Sequence, residues 1–309
     1  MNVKFYAAAL LALTLAGCNN DEMDNPLADG PVPMTFTADI NSVATRATTN
    51  GFQDGDVVGI IPMKDNVVET AQANIAYTYS ESAFTAKLPY YFQNYEEVTF
   101  NAYYPYQKGL ANSYTVTIDT RSGNQVTEKV NEYDWRKNDF LFTSETTTVG
   151  TPFVSFTGDK AFKHVMSSVA IKFIAGTNAG VADLLPLTGY TLGKFDMDGT
   201  FDCSTGKVSL EDDATEAITV SGISCEKNET EYQTTPLILL PQSVKGGKLT
   251  LTVNFNETTY TAELSLVELQ AGKLHVFPVT IKNTDLEIGK ATINGWEETE
   301  QKPGDATLQ

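Results

Sequence analysis

The chain has 309 residues, with 21 Lys and Arg against 39 Asp and Glu, and a formal net charge of −18. A surface of that sign repels phosphate backbones and anionic lipid headgroups, which sets aside nucleic acid as a partner. The length suits about two domains once a leader is removed.

The first residues are Met1-Asn2-Val3-Lys4, then an apolar run over 5–16, then Leu15-Ala16-Gly17-Cys18. One basic residue, a short apolar core and small residues before a cut site make a secretory signal. The run is too short for a permanent membrane span. A cysteine directly after Leu-Ala-Gly resembles a bacterial lipobox. That resemblance implies cleavage between Gly17 and Cys18 and acylation of the Cys18 sulfur, hence a surface-exposed lipoprotein of the outer membrane. Stable anchoring needs more than one acyl chain, which a lipobox cysteine normally carries. The plainer reading is an ordinary signal peptide with a chance cysteine. Residues 1–17 are thus the expected signal and 18–33 a flexible tether, rich in Asn, Asp, Pro and Gly. Its acidic start, Asp21, Glu22 and Asp24, resembles an export signal to the outer leaflet; a polar tether explains it equally.

Strand patterns follow. Met34, Phe36, Ala38 and Ile40 alternate with Thr35, Thr37, Asp39 and Asn41, which predicts a strand with one apolar face. After a polar stretch over 44–53, Asp54-Gly55-Asp56 is a turn signal. The apolar run over 57–61 reads as a buried strand limited by Pro62. More strands are expected over 76–79, 83–88, 98–104, 114–118 and 140–143. A second series covers 154–156, 168–174, 190–195, 201–203, 218–223, 237–240, 249–255, 259–264 and 275–281. Short helices are expected near 67–73, 161–166 and 182–185. Many short strands with turns between them predict an all-β chain of β-sandwiches. The break is placed in the Thr-rich segment 145–152, giving one sandwich over 34–150, a second over 151–296 and a polar tail over 297–309.

Cys203 and Cys225 could pair outside the cytoplasm, or stand as two separate buried thiols; spacing does not decide. The two histidines, His164 and His275, fall in different halves, and no Cys/His group has metal-ligand spacing. His164 reads as a structural residue. Asp196-Met197-Asp198-Gly199-Thr200-Phe201-Asp202 hints at calcium, but its glycine stands two places too early for an EF-hand loop, and Asp-Gly also marks hairpins. No nucleophile elbow or phosphate loop is present, so neither enzyme nor cofactor is expected. Nine of the fourteen tyrosines lie between Tyr77 and Tyr114. Most should pack in strands, with an exposed subset suited to adhesion.

Several pieces come in a telling order. Thr45-Arg46-Ala47 precedes Phe52-x-x-Gly55-Asp56-x-x-Gly59. Phe100-x-Ala102-Tyr103-Tyr104-Pro105-Tyr106 and Asp139-Phe140-Leu141 follow. Then come Phe162-x-His164-x-x-Ser167-x-Val169, Leu240-Pro241-Gln242, Ala271-Gly272-Lys273 and Ile293-x-x-Trp296. This order over 34–296, behind a lipobox, resembles the Bacteroidetes-type fimbrillin family, the two-domain subunits of type V pili. The resemblance implies two tandem transthyretin-like β-sandwiches, a place in adhesive surface fibres, and other pilin subunits as partners. A host protein or glycan would be the adhesion target. It also places His164 near the domain junction.

The family's strand-exchange assembly would work here as follows. Cleavage between Arg46 and Ala47 removes the strand over 34–40. The vacated groove offers unpaired backbone and apolar side chains to a donor strand. The donor would be the C-terminal segment bearing Leu286, Ile288, Ile293 and Trp296. Each part has a plainer reading: Arg46 as one exposed charge in a Thr-rich loop, and the tail as the last strand of its own sheet. The polar tail over 297–309 cannot fill an apolar groove, so a tip or anchor subunit stands beside a stalk. A surface glycan-binding lipoprotein of a polysaccharide uptake system is the alternative reading. A glycosidase is weaker, because no spacing singles out a carboxylate pair.

Overall fold

The computed structural model describes residues 26–27, 30–40, 51–110, 113–121, 125, 138–211 and 215–296. The chain is all-β. The first strands are β1 (Val32–Pro33), β2 (Thr35–Ala38), β3 (Val57–Lys64), β4 (Val67–Val68), β5 (Ile75–Ser80), β6 (Ala83–Thr85), β7 (Tyr91–Phe92), β8 (Val98–Tyr104), β9 (Thr115–Asp119), β10 (Leu141–Thr147), β11 (Phe153–Phe156) and β12 (Lys163–His164). There follow β13 (Ser167–Ala175), β14 (Leu187–Phe195), β15 (Asp198–Asp202), β16 (Lys207–Leu210), β17 (Glu216–Ser221), β18 (Glu231–Gln233), β19 (Leu237–Leu239), β20 (Gln242–Ser243), β21 (Lys248–Phe255), β22 (Thr258–Ser265), β23 (Glu268–Leu269), β24 (Lys273–Ile281), β25 (Leu286–Ile288) and β26 (Thr292–Gly295).

A seven-stranded sheet runs β12-β10-β8-β3-β5-β6, with β4 also on β3. The chain continues β3 through Pro62 to Lys64, past the expected stop. The Pro62 carbonyl accepts from Glu69 N–H. Its missing N–H would therefore point to the same side, where the neighbour of β3 changes from β5 to β4, and the ladder with β8 loses nothing. The expected helices are absent from the described residues. Only 3₁₀ turns occur, at Thr70–Gln72, Gly158–Lys160, Thr177–Ala179 and Lys245–Gly247.

Buried side chains form three clusters. The first is aromatic and spans Met34 to Phe162, including Phe36, Tyr77, Tyr90, Phe100 and Phe156. The second is mainly aliphatic and spans Val169 to Ile281. The third draws on both series: Ile61, Tyr103, Phe140, Met166, Phe201, Cys203, Leu240 and Trp296 meet there. Strand β9 also crosses the series, pairing with β15.

The break expected over 145–152 does not divide the cores. Thr146 and Thr147 belong to β10, and Thr148 to Thr151 is a tight turn closed by Thr151 N–H on the Thr148 carbonyl. β11 then returns in parallel to β2, and Val154, Phe156 and Phe162 enter the first core. The cores part only between Phe162 and Val169. The Thr-rich segment expected as the break is the end of β10 and a turn.

Candidate functional site

Two strands frame the site, one near each end of the described chain. β1 and β2 form a single extended run interrupted at Met34. Met34 N–H donates to the Tyr90 carbonyl at 2.8 Å, beside β7. Thr35 N–H donates to the Pro152 carbonyl at 3.1 Å, and Asp39 N–H to Phe156 at 2.9 Å, beside β11. Successive N–H groups of a strand point opposite ways, so β7 and β11 hold opposite edges of this run. The hold is short: two residue pairs with β7, four with β11 and a single parallel bridge from Ile40 to Phe162.

Val32, Met34, Phe36, Ala38 and Ile40 face inward, as the alternation required. The Phe36 ring lies 4.7 Å from Phe84, 5.0 Å from Tyr77 and 5.4 Å from Phe156. The Tyr77 hydroxyl donates to the Met34 carbonyl at 3.4 Å and accepts from Tyr90 N–H at 3.1 Å. Burial pushes this phenol up to about 12, so it stays a neutral donor at any physiological pH. Arg46 and Ala47, like Gly17 and Cys18, lie outside the described residues.

At the other end, β25 and β26 lie on the same edge of β24, both antiparallel, and together make one closing strand. It is interrupted opposite Pro278, whose carbonyl accepts Gly289 N–H at 2.9 Å. A Cβ at Gly289 would meet the Pro278 ring at 2.8 Å, so a side chain there would force the strand away. Leu286 and Ile288 pack partly buried on the second core, Ile293 is 51% exposed, and Trp296 is buried. The segment expected as donor therefore occupies its own molecule's sheet edge.

Trp296 closes a junction built from four of the quoted motifs. Its indole stacks on the His164 imidazole, centroids 4.7 Å apart and planes 6° from parallel. His164 Nδ1 lies 2.7 Å from Asp139 Oδ1, both side chains nearly buried. Trp296 N–H donates to the Gly272 carbonyl, and Gly272 N–H to that of Met166. Gly272 has φ +65°, and a Cβ there would stand 3.0 Å from the His164 carbonyl oxygen, which is why this position holds glycine.

A family model described as Fimbrillin-like matches residues 45–296, a span that contains the closing strand and every residue of this junction. The chain belongs to the fimbrillin-like family. A candidate fimbrium tip subunit, Fim1C of Bacteroides ovatus, is 27% identical over 186 residues, 55% of this chain and 35% of that protein. A candidate fimbrium subunit, Fim1C of Bacteroides uniformis, is 31% identical over 120 residues, 36% of this chain and 39% of that protein. The alignments thus span little more than a third of these relatives' own length. A solved candidate cell-adhesion protein of Bacteroides ovatus superposes with TM-score 0.71 at 25% identity, covering 88% of this chain and all of that one. One from Bacteroides uniformis shares the fold, with TM-score 0.66 at 19% identity over 86% of this chain and 99% of that one.

Other pieces quoted above hold the first sheet of this fimbrillin-like chain together. A Cβ at Gly59 would stand 2.2 Å from the ring of Tyr103, its cross-strand partner on β8. The Tyr103 hydroxyl donates to Asn74 Oδ1 at 2.6 Å, and that of Tyr104 to Asp56 Oδ1 at 3.0 Å. Tyr77, Tyr90 and Tyr103 are buried in the sheets, while Tyr91 and Tyr95 are exposed.

The sequence left two readings open. Cys203 and Cys225 are both buried, one in the junction cluster and the other in the second core, and no disulfide joins them. Burial pushes the Cys203 thiol up to about 12, leaving it an inert packing group. Asp198-Gly199 is neither a calcium loop nor a hairpin tip; it starts β15. Both Asp198 oxygens accept from the Arg121 guanidinium, which also meets Asp119 and Glu216. Arg121 holds the Asp198 carboxyl below its usual range. Arg121, Asp139 and Gly272 were not singled out from sequence as interacting groups. Their partners lie 77, 25 and over 100 residues away, and a single sequence carries no signal for such pairs.

Proposed function

We propose that this fimbrillin-like chain is a lipid-anchored fimbrial subunit of the cell surface, assembling with other pilin subunits by strand exchange and serving adhesion to a host protein or glycan. In this reading Cys18 carries the lipid, and the cores belong to two tandem transthyretin-like sandwiches. A cut between Arg46 and Ala47 releases the run that contains β1 and β2. A closing strand carrying Leu286, Ile288, Ile293 and Trp296 is the donor. To donate, it must leave β24 and unstack from His164.

The observation that carries the reading is the setting of the first strand. It lies outside the seven-stranded sheet, has only short pairings, and yet supplies the buried Met34 and Phe36. Each such side chain contributes about 1.5–3 kcal/mol when buried. A vacated groove therefore favours refilling by a strand of the same alternation.

The test uses the full chain treated with an arginine-specific protease, followed by N-terminal sequencing of monomer and polymer and by electron microscopy. Polymer beginning at Ala47, and none from an Arg46→Ala chain, is expected. Polymer that begins only at Cys18 would sink the cleavage step, and polymer from a chain lacking 285–309 would remove the donor assignment. Antibody label at fibre ends or along the shaft separates a tip or anchor from a stalk.

A further inference from the structure

Strand β22 is the longest uninterrupted strand at the end of any described sheet; it closes the four-stranded sheet β17-β14-β21-β22. Its turn fixes which backbone groups are free. Phe255 and Thr258 are paired across Asn256 and Glu257, whose φ angles are +49° and +60°. Two positive φ values in a two-residue loop make a type I′ hairpin, in which the residues flanking the loop form the hydrogen-bonded pair. The pattern alternates from there. Thr258, Tyr260, Ala262 and Leu264 direct their N–H and C=O groups to β21. Thr259, Thr261, Glu263 and Ser265 direct theirs away from it. No described backbone group bonds to that outer edge.

Exposed edges are usually blunted by lysine, proline, bulges or shortness. β22 has none of these along Thr258-Thr259-Tyr260-Thr261-Ala262-Glu263-Leu264-Ser265. Its single charge, Glu263, is matched within the sheet by Lys248 at 2.6 Å. Its outward-bonding residues carry exposed side chains, while of those that bond β21 Tyr260 and Ala262 are half-buried and Leu264 is buried.

From this edge we infer that β22 is a docking strand for β22 of a second copy, antiparallel and two-fold symmetric about Ala262. In that register Thr259 stands opposite Ser265 of the second copy and Thr261 opposite Glu263, and the same pairs recur by symmetry. All four outward residues on each copy find a partner and none is left over. The two Glu263 carboxylates each face a threonine hydroxyl rather than each other. The two Ala262 residues meet as a non-hydrogen-bonded pair, where small side chains allow close approach. The result is one continuous eight-stranded sheet and a closed contact. It is lateral: its paired residues belong to neither the first strand nor the closing strand, although β25 packs beside β22 and the Tyr260 hydroxyl donates to the Asn283 carbonyl.

The test is sedimentation equilibrium on the full, uncut chain, with cross-linking beside it. Wild type should associate reversibly to a dimer. Thr261→Pro removes an N–H that β21 does not use, so it should fold, as checked by its thermal melt, yet dimerise roughly tenfold more weakly or worse, since symmetry removes two hydrogen bonds. Ala262→Cys places two Cα atoms about 4.5 Å apart across the axis, within disulfide range. On mild oxidation it should give a covalent dimer, and Val267→Cys, 76% exposed and outside the strand, should not. A wild type that stays monomeric throughout, a Thr261→Pro chain that dimerises as well as wild type, or cross-linking no faster at 262 than at 267 would overturn the proposal.

Discussion

Replacing Phe36 by alanine tests how the first strand is held. The ring touches Phe84, Tyr77 and Phe156, all within 5.4 Å between centroids, and is buried. Large-to-small changes at such aromatic sites cost about 3–5 kcal/mol, more where the surroundings cannot close the hole. Here Tyr77 is pinned through its hydroxyl between the Met34 carbonyl and Tyr90 N–H, and Phe156 is fixed in β11, paired to the very strand that carries the change. Little collapse is available, so a loss of about 4 kcal/mol is expected. Thr37→Ala, on the outward face of the same strand, should stay within about 0.5 kcal/mol of wild type. Urea unfolding followed by near-ultraviolet circular dichroism measures both. After cleavage behind Arg46, the loss should also speed release of the strand by up to about a thousandfold, since each 1.36 kcal/mol is a factor of ten. Equal midpoints for Phe36→Ala and Thr37→Ala would refute the claim that the strand is retained by its inward stripe rather than by its backbone ladder.

Trp296→Ala removes the stack on His164 and should cost about 3 kcal/mol, with hydrogen exchange rising first over 292–296. Gly59→Ala drives a methyl into the Tyr103 ring, which cannot turn aside without losing Asn74; a loss of about 2–3 kcal/mol is expected in the same urea assay. His275 is buried, accepts Gln270 N–H at Nε2, and is held below the ordinary 6.5 by burial, with Glu268 opposing weakly. Its folded form resists protonation, so the unfolded chain binds more protons below 6.5. Stability should be full above that pH and fall as pH drops through it, by at most about 1.4 kcal/mol per unit, levelling at the depressed native value. Urea midpoints at pH 7.5 and 5.5 check this, and a His275→Phe chain should lose that part of the slope.

The strands were legible because the signal is local. Met34 to Ile40 alternates in sequence and alternates in the sheet, and the inward set is the one the period selected. What misled was composition without geometry. Threonines over 146–151 suggest a domain break, but two of them finish β10 and the others turn the chain back to β2. Asp198-Gly199 looks like a hairpin tip, yet a Cβ at Gly199 would stand 2.6 Å from the Ser209 carbonyl oxygen; the glycine answers a close approach inside a sheet. Pro62 looked like a stop because its missing N–H was assumed to be needed. The junction was legible only as separate words. Asp139, His164, Gly272 and Trp296 each appeared in a motif, but their meeting depends on register between strands over a hundred residues apart.

The register also decides which strand is fit to be exchanged. β8 is paired along five residues of β3 and seven of β10, so withdrawing it would split the seven-stranded sheet and expose two new edges. β1 and β2 belong to no long ladder; taking them away leaves that sheet whole and opens one groove lined by Tyr77, Phe84 and Phe156. The closing strand has the complementary property. It lies at a sheet edge on β24, whose other edge keeps its eight pairs with β13. Both ends of the described chain are therefore strands whose departure costs side-chain burial rather than sheet integrity. For the closing strand, much of that cost sits at Trp296, so in His164→Ala the segment 286–296 should exchange amide protons sooner than β24 does. Simultaneous exchange of both strands would mean that the closing strand and its sheet open as a single unit, and the tail could not then serve as a separable donor.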